Sequence, residues 1–402
     1  MVRLSGLLSL SLVASLACVE SVAAPGLCPE FCPEAEFEVV DSIVNGSVVR
    51  DSSFRGYVAA HRASTVQIVG PGLSFDSRAV IKFIPFPDRV RPIPGDSTTA
   101  AVLAIDSFTV NLPLVRGNVG SGGVQVALHR LPVSVDTSVS YANLTPNFAD
   151  STLIASTAVE EGQETDSLVV TLPTTAFPSL AADDGEIALG VRISVGDSSF
   201  INIASQRAGS GAALTRYFKV DSAGVVIDRL DVRRPSLTTL VQDGGAGTAP
   251  GTLSVGGVPS ARAIVRIEGL EEIFALGDII LATLELVPSE PIVGAPGDSL
   301  ILIGSPVLAD FGRKSPIIET DVDSLSRGGV VVAVGSADTI RVDVTAIVRS
   351  WDLDPDLTRT IMLLSRSEGS SFAEARFFSS ESATLKPALR VTYVPSVGLG
   401  SL

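Results

Sequence analysis

The chain has 402 residues and a formal net charge of −15, long enough for two or three domains with a core each. Its 29 Lys and Arg against 44 Asp and Glu exclude a nucleic-acid binder, which needs clustered cations to neutralise phosphate. Only Lys82, Lys219, Lys314 and Lys386 are lysines, and Gly, Pro, Val, Thr and Ser abound, the mixture of strand formers and turn residues expected of an all-β protein.

Residues 1–23 read as a signal peptide. In MVRLSGLLSLSLVASLAC, Arg3 precedes an apolar run from Leu4 to Leu16, about 13 residues, too short to span a bilayer. Ser15-Leu16-Ala17-Cys18 resembles the lipobox of bacterial lipoproteins, whose cysteine carries the lipid; cleavage after Ala23 would instead discard Cys18. Under either route Cys28 and Cys32 remain an even pair in the linker 24–37, and a disulfide across CPEFC is feasible in an oxidising compartment. The expectation is an exported bacterial protein, extracellular, periplasmic or lipid-anchored. Its membrane attachment, if any, runs through Cys18 only.

Beyond residue 38 the pattern has period two. In IRVDVTAIV, Ile340, Val342 and Val344 alternate with Arg341, Asp343 and Thr345; in ALRVTYV, Leu389, Val391 and Tyr393 share one face. Turn clusters such as RGNVGSGG and QDGGAGTAPG separate such segments. The blocks also repeat. SRAVIKFIPFPD from Ser77 matches SARAIVRIEGLEE from Ser260, and AVLAIDSFTV matches IILATLELV. TDSLVVTLPTTAF from Thr165 matches ADTIRVDVTAIVRSW from Ala337. The long stretch from Gly185 to Val220 matches that from Arg359 to Val394. Four matched blocks in one order imply a duplicated domain. The fold expected is two tandem antiparallel β-sandwiches of jelly-roll-like form, over 38–222 and 223–397.

VDVTAIVRSW followed by IMLLSRSEGSSFAEARFFSSESATLKPALRVTY resembles the carboxyl half of the DNRLRE-type domain. That resemblance covers roughly 260–395, and reaches 38–222 only through the internal repeat. It implies a β-sandwich of secreted and cell-surface bacterial proteins, similar to a family of carbohydrate-binding modules. The first copy departs from the pattern: Phe177 stands where the second has Trp351, and AGSGAALT replaces Ser380-Glu381.

The residues to weigh as a ligand site are Trp351, Arg376 and Glu381. Sugar faces stack on exposed aromatic rings, and the chain has one Trp and four Tyr. Against that reading, Trp351 in a strand end would cover the core, and a serine-turn Glu381 would pair with an arginine. A lone carboxylate is not a hydrolytic mechanism, which needs two at a defined separation. His61 and His129, in dissimilar contexts, supply neither a triad nor a metal site. DLDPD, Asp352–Asp356, has the opening spacing of a calcium loop but carries Leu357 where Gly is wanted. No cofactor is expected, with a structural calcium left open. The reading is a non-catalytic surface protein of structural or adhesive role; a polysaccharide binder is the alternative and a glycan-active enzyme the third class.

Overall fold

The computed structural model describes residues 39–44, 46–56, 58–71, 73, 75–93, 95, 97–176, 186–196, 198–209, 211–243, 251–310, 318–319 and 329–396. The expectations placed on Cys18, Cys28, Cys32 and Phe177 lie outside these residues.

Two strands, β1 (Val40–Val44) and β2 (Val48–Arg55), open the chain. A run of ten follows: β3 (Thr65–Val69), β4 (Asp76–Phe83), β5 (Arg89–Val90), β6 (Ala100–Asn118), β7 (Val124–Arg130), β8 (Leu153–Val159), β9 (Ser167–Leu172), β10 (Ile187–Val195), β11 (Phe200–Ala204) and β12 (Ala213–Ser222). A short helix, α1 (Tyr141–Leu144), lies between β7 and β8. The scheme then restarts with β13 (Val225–Arg233) and β14 (Pro235–Asp243). The second run of ten comprises β15 (Thr252–Gly256), β16 (Ala261–Ile267), β17 (Gly277–Leu286), β18 (Ser299–Ala309), β19 (Ile318–Glu319), β20 (Val330–Ala333), β21 (Ile340–Asp343), β22 (Thr360–Ser365), β23 (Glu374–Phe378) and β24 (Ala388–Pro395). Helices α2 (Glu271–Leu276) and α3 (Thr345–Leu353) follow β16 and β21.

All strand pairings among the described residues are antiparallel, and the two runs share one wiring. β4 lies between β3 and β10, and β10 meets β7, just as β16 lies between β15 and β22, and β22 meets β18. β6 is flanked by β12 and β9, as β17 is by β24 and β21. β11 pairs with β3, as β23 does with β15. The duplication read from the sequence blocks is thus a duplication of topology.

Apart from the short β5 and β19, the runs differ at the junction of the two layers. The 19-residue β6 continues past β9 and β12 to pair with β11, which fuses both layers into one curled 12-stranded sheet. β17 stops short, so the second half keeps a four-stranded sheet facing an eight-stranded one. Alternation sets the cores. Phe108, Val110, Leu112 and Leu114 point inward along β6 to meet Ile68, Ile81 and Leu189. In the second half Leu284 and Val391 meet Val265 and Leu363. Each such side chain contributes about 1.5–3 kcal/mol by leaving water.

The leading two-stranded arms are exchanged. β13 and β14 pair with β12 and β4 of the first run, whereas β1 and β2 pair with β24 and β16 of the second. Each sequence repeat therefore completes its sandwich with a two-stranded arm from the other repeat. The expected partition at 38–222 and 223–397 follows the sequence duplication but not the strand pairing. The first sandwich is β3–β14; the second is β1 and β2 with β15–β24. The two are also packed together: Val258, Ala295 and Phe372 belong to the first hydrophobic core, and the Phe372 ring lies 4.7 Å from that of Phe75.

TAIVRSW is helix rather than strand. Asp343 accepts from the Thr345 amide at 2.9 Å and from its hydroxyl at 2.6 Å, which starts α3. Ile347, Val348 and Trp351 then fall on one buried face at helical spacing.

Candidate functional site

A concavity lies on the first sandwich, away from the residues singled out in the sequence. After Arg130 the chain leaves the sheet for an excursion through α1 and two 3-10 turns before returning at Leu153. Leu131, Val135, Leu144 and Phe148 hold that excursion down by packing on Val80, Ala188 and Val241, on the sheet face turned away from the main core. Gly190 makes room for it, since a Cβ there would sit 2.6 Å from the Phe148 ring. Ser140 caps α1 by accepting from the Asn143 amide. Arg78 sits between the Tyr141 and Phe148 rings, 4.6 and 4.7 Å from their centroids, and donates to Asp76 at 2.8 Å. Burial and the Asp76 carboxylate push the Tyr141 hydroxyl up to about 12.

Two adjoining hollows of about 470 and 330 Å³ result, sharing Pro132, Ser134 and Asn147. Arg130 and Thr152 line one end, and Asp136, Ser138 and Asn143 the other. None of the lining residues is aromatic, and Asp136 is the one carboxylate among them. Its oxygen accepts from the Ser138 amide at 2.8 Å and hydroxyl at 2.6 Å, which holds the carboxyl below its ordinary range and so ionised at neutral pH. Such a groove offers hydrogen bonds of both senses but no stacking platform and no acid–base pair.

His129, fully buried beneath this excursion, braces it. Thr152 Oγ1 lies within donating reach of the Asn147 and Ala149 carbonyls, at 2.7 and 2.8 Å, and 3.2 Å from His129 Nδ1. With its own hydrogen committed to a carbonyl, the Thr152 oxygen accepts from Nδ1–H, so the ring is the neutral Nδ1–H tautomer. Its Nε2 has no partner. Burial first, then Arg192, lowers the imidazole to about 4.

The three residues picked from the sequence do not assemble into a site. Trp351 is 2% exposed, packed in the second core by α3, and offers no face to a ligand. Arg376 belongs to a buried ion network. Arg55, Ala261, Gly256 and Glu374 form one row across four strands, β2, β16, β15 and β23. Because the two central positions are Ala and Gly, the Arg55 guanidinium reaches across them to both Glu374 oxygens, one contact measuring 2.9 Å. Arg376 donates to Glu374 at 2.8 Å and to Glu290 at 2.7 Å. Burial opposes the charge on Arg376, but these carboxylates outweigh it and hold the guanidinium above its ordinary value.

Glu381 is exposed in a turn rather than buried against an arginine. Its amide donates to Ser379 Oγ at 3.2 Å. The neighbouring Ser380 amide donates to Asp51 at 2.5 Å, and burial raises the Asp51 carboxyl despite that bond, with Glu381 adding a smaller push. In DLDPD, Asp352 lies in the last turn of α3, and Asp354, its C-cap, accepts from the Asp356 amide at 3.1 Å. Among the described residues no three His, Cys, Asp or Glu side chains are placed to hold a metal ion, and no helix is long and apolar enough to cross a membrane.

Fold and site define an all-β chain of two topologically equivalent sandwiches with exchanged arms, with the buried Glu374 and Asp298 among its described residues paired to arginines. No family model matches the chain, and no curated protein matches it. Among solved structures it is similar to a protein from Parabacteroides distasonis described as secreted, at 11% identity and a TM-score of 0.23, over 88% of this chain and 99% of that one.

Proposed function

We propose that the chain is an exported, non-catalytic structural module of the bacterial envelope or its exterior. The observation that carries this reading is the disposition of its acids. Glu374, Glu368, Asp310 and Asp298 are each engaged by an arginine, Arg55 and Arg376, Arg262, Arg266 and Arg116 respectively. Side chains held this way stabilise geometry and are withheld from proton transfer, whereas glycoside hydrolysis needs a carboxylate pair flanking an open cleft. The signal-peptide pattern of residues 1–23 supports export. Envelope fractionation with intact-mass analysis tests it: the mature chain begins at Cys18 with a lipid increment, or after Ala23. A cytoplasmic chain retaining Met1 overturns it. On a panel of acidic and neutral glycans the expected result is no hydrolysis; product release abolished by Asp136→Asn or Glu374→Gln overturns the non-catalytic reading.

A second reading has one observation in its favour. The groove lined by Arg130, Ser134, Asn143 and Asn147 has the hydrogen-bonding character and volume to take one or two sugar units. Retarded migration in polysaccharide gels, lost in Asn147→Ala with the melting temperature unchanged, would support it.

A further inference from the structure

The outermost strand of a sheet presents a row of unpaired N–H and C=O groups, and natural proteins keep such edges short, bent or charged. The two equivalent edges here differ. In the second sandwich the edge is β1, five residues long, with Asp41 bonded to Arg390 at 2.6 Å. In the first it is β13, nine residues in register with β12 from Leu214–Arg233 to Ser222–Val225 without a bulge. Among the described residues β13 has no other strand partner. Val226, Leu230 and Val232 share its outer face at 59, 60 and 42% exposure, and Leu230 lies opposite Tyr217, itself 38% exposed. Asp228 and Asp231 balance Arg229 and Arg233, so the net charge of −15 is not concentrated on this edge.

We propose that β13 is a self-association edge, pairing antiparallel with β13 of a second copy about a two-fold axis through Leu230. The charge pattern selects that axis. A two-fold normal to the sheet places one residue opposite itself. Centred on Arg229 it sets Arg against Arg, and on Asp228 or Asp231 it sets Asp against Asp, all repulsive at directly opposed positions. Centred on Leu230 it sets Arg229 against Asp231 twice, Leu230 against Leu230, and no like charges together across 227–233. Tyr217 of each copy then flanks the paired leucines and closes an apolar cluster on the outer face. Axes nearer either strand end leave fewer residues paired. The edge is self-complementary, which makes a second copy its occupant.

Sedimentation velocity of the full mature chain from low to high micromolar tests this. The expected result is a concentration-dependent dimer. Leu230→Lys, at an exposed position, opposes two like charges at the axis and raises the dissociation constant about tenfold or more. Arg229→Asp and Asp231→Arg each weaken the dimer, and the double variant restores it, because both reciprocal pairs are then reversed. Thermal melts check folding, since within one copy Asp231 accepts from Arg233 at 2.9 Å and lies 3.8 Å from the buried Arg216 guanidinium, while Arg229 donates to the Pro92 carbonyl. A chain monomeric throughout the range overturns the proposal. So does a dimer that Leu230→Lys leaves intact, or a double variant no tighter than either single one.

Discussion

Gln67 and Asp298 tie one sandwich to the other. The Gln67 amide of β3 donates to Asp298 Oδ2 at 2.7 Å, and its carbonyl accepts from the Phe372 amide at 2.7 Å. Ser371 donates to the same Asp298 oxygen at 2.8 Å, while the Ser299 amide, at 2.6 Å, and Arg116 take the other. Gln67 and Asp298 are both buried. A buried carboxylate with four donors is hard to replace, because its removal leaves those donors without acceptors. Asp298→Ala is expected to destabilise the chain by about 2–3 kcal/mol, with Arg116 partly rehydrating at the surface. Urea unfolding measures it; a loss below about 0.5 kcal/mol contradicts the junction's role.

His129 gives the first sandwich an acid-sensitive point. The ring is neutral when folded, with a value near 4 against an ordinary 6.5. Between those values the unfolded chain takes up a proton that the folded chain refuses. The stability from His129 is therefore complete above about pH 6.5 and falls as pH drops towards 4. A shift of that size corresponds to roughly 3 kcal/mol at the acid limit. Arg192, Arg78 and Asp150 are the charges that bear on the ring. His129→Gln should flatten this part of the profile, read from melting temperatures between pH 4 and 7. An unchanged slope means that the imidazole stays neutral for no energetic reason.

The exchanged arms predict that the halves of this protein do not fold alone. A chain cut between β12 and β13 separates two sequence repeats, each lacking the two-stranded arm that closes its own sandwich. Without β1 and β2 the second sandwich loses the ladder on β16 and the buried Val48; without β13 and β14 the first loses the ladders on β12 and β4. Co-expressed, the halves should purify as a one-to-one complex. Expressed singly, each should be insoluble or lack a cooperative melt. Two halves that fold and remain apart in solution rule out the exchange.

The duplication was legible because matched blocks keep their order and period. The arms were not. VVDSIVNGSVVRDSSFRGY has a strand, turn, strand pattern, and nothing in a period-two pattern says which of two equivalent sandwiches such an arm will join. TAIVRSW shows another limit. Ile340, Val342 and Val344 set a strand rhythm that extrapolates into Trp351, although Asp343 before Thr345 is a helix-start signal and Ile347, Val348 and Trp351 have helical spacing. A strand period continued to Trp351 puts it at a strand end, where either core cover or a ligand platform fits; the helical period puts it in the core. The groove left still less trace, since it depends on Phe148 settling into the gap above Gly190, a contact between positions far apart in the chain.

Trp351 is a built-in reporter of the second core, being the single tryptophan. Packed on α3 at 2% exposure, it should emit at short wavelength and resist quenching by acrylamide until the second sandwich unfolds. Trp351→Ala should cost about 3–5 kcal/mol, and Trp351→Phe less. A red-shifted, readily quenched emission from the folded chain is incompatible with this packing.

Arg55 and Glu374 supply the last prediction. The pair joins the first arm to β23, with Arg376 as a second donor to the same carboxylate, and Arg55 and Glu374 side chains are 16 and 8% exposed. Replacing one member of a mostly buried ion pair leaves the other charge without its partner, at about 3–5 kcal/mol in a dry site. Glu374→Gln should be the worst single change, because it faces two guanidiniums with an amide. Arg55→Met should cost less, since Arg376 still neutralises Glu374 and the Met stem still covers Ala261. The double variant should lose less than the two losses added, a coupling of about 1–3 kcal/mol by double-mutant cycle. The two replacements also separate stability from arm docking. If the arm is held chiefly by its β1–β24 and β2–β16 ladders, hydrogen exchange at Val48–Arg55 will stay slow in Arg55→Met. If the ion pair is the clasp, those amides will exchange before the rest of the second sandwich.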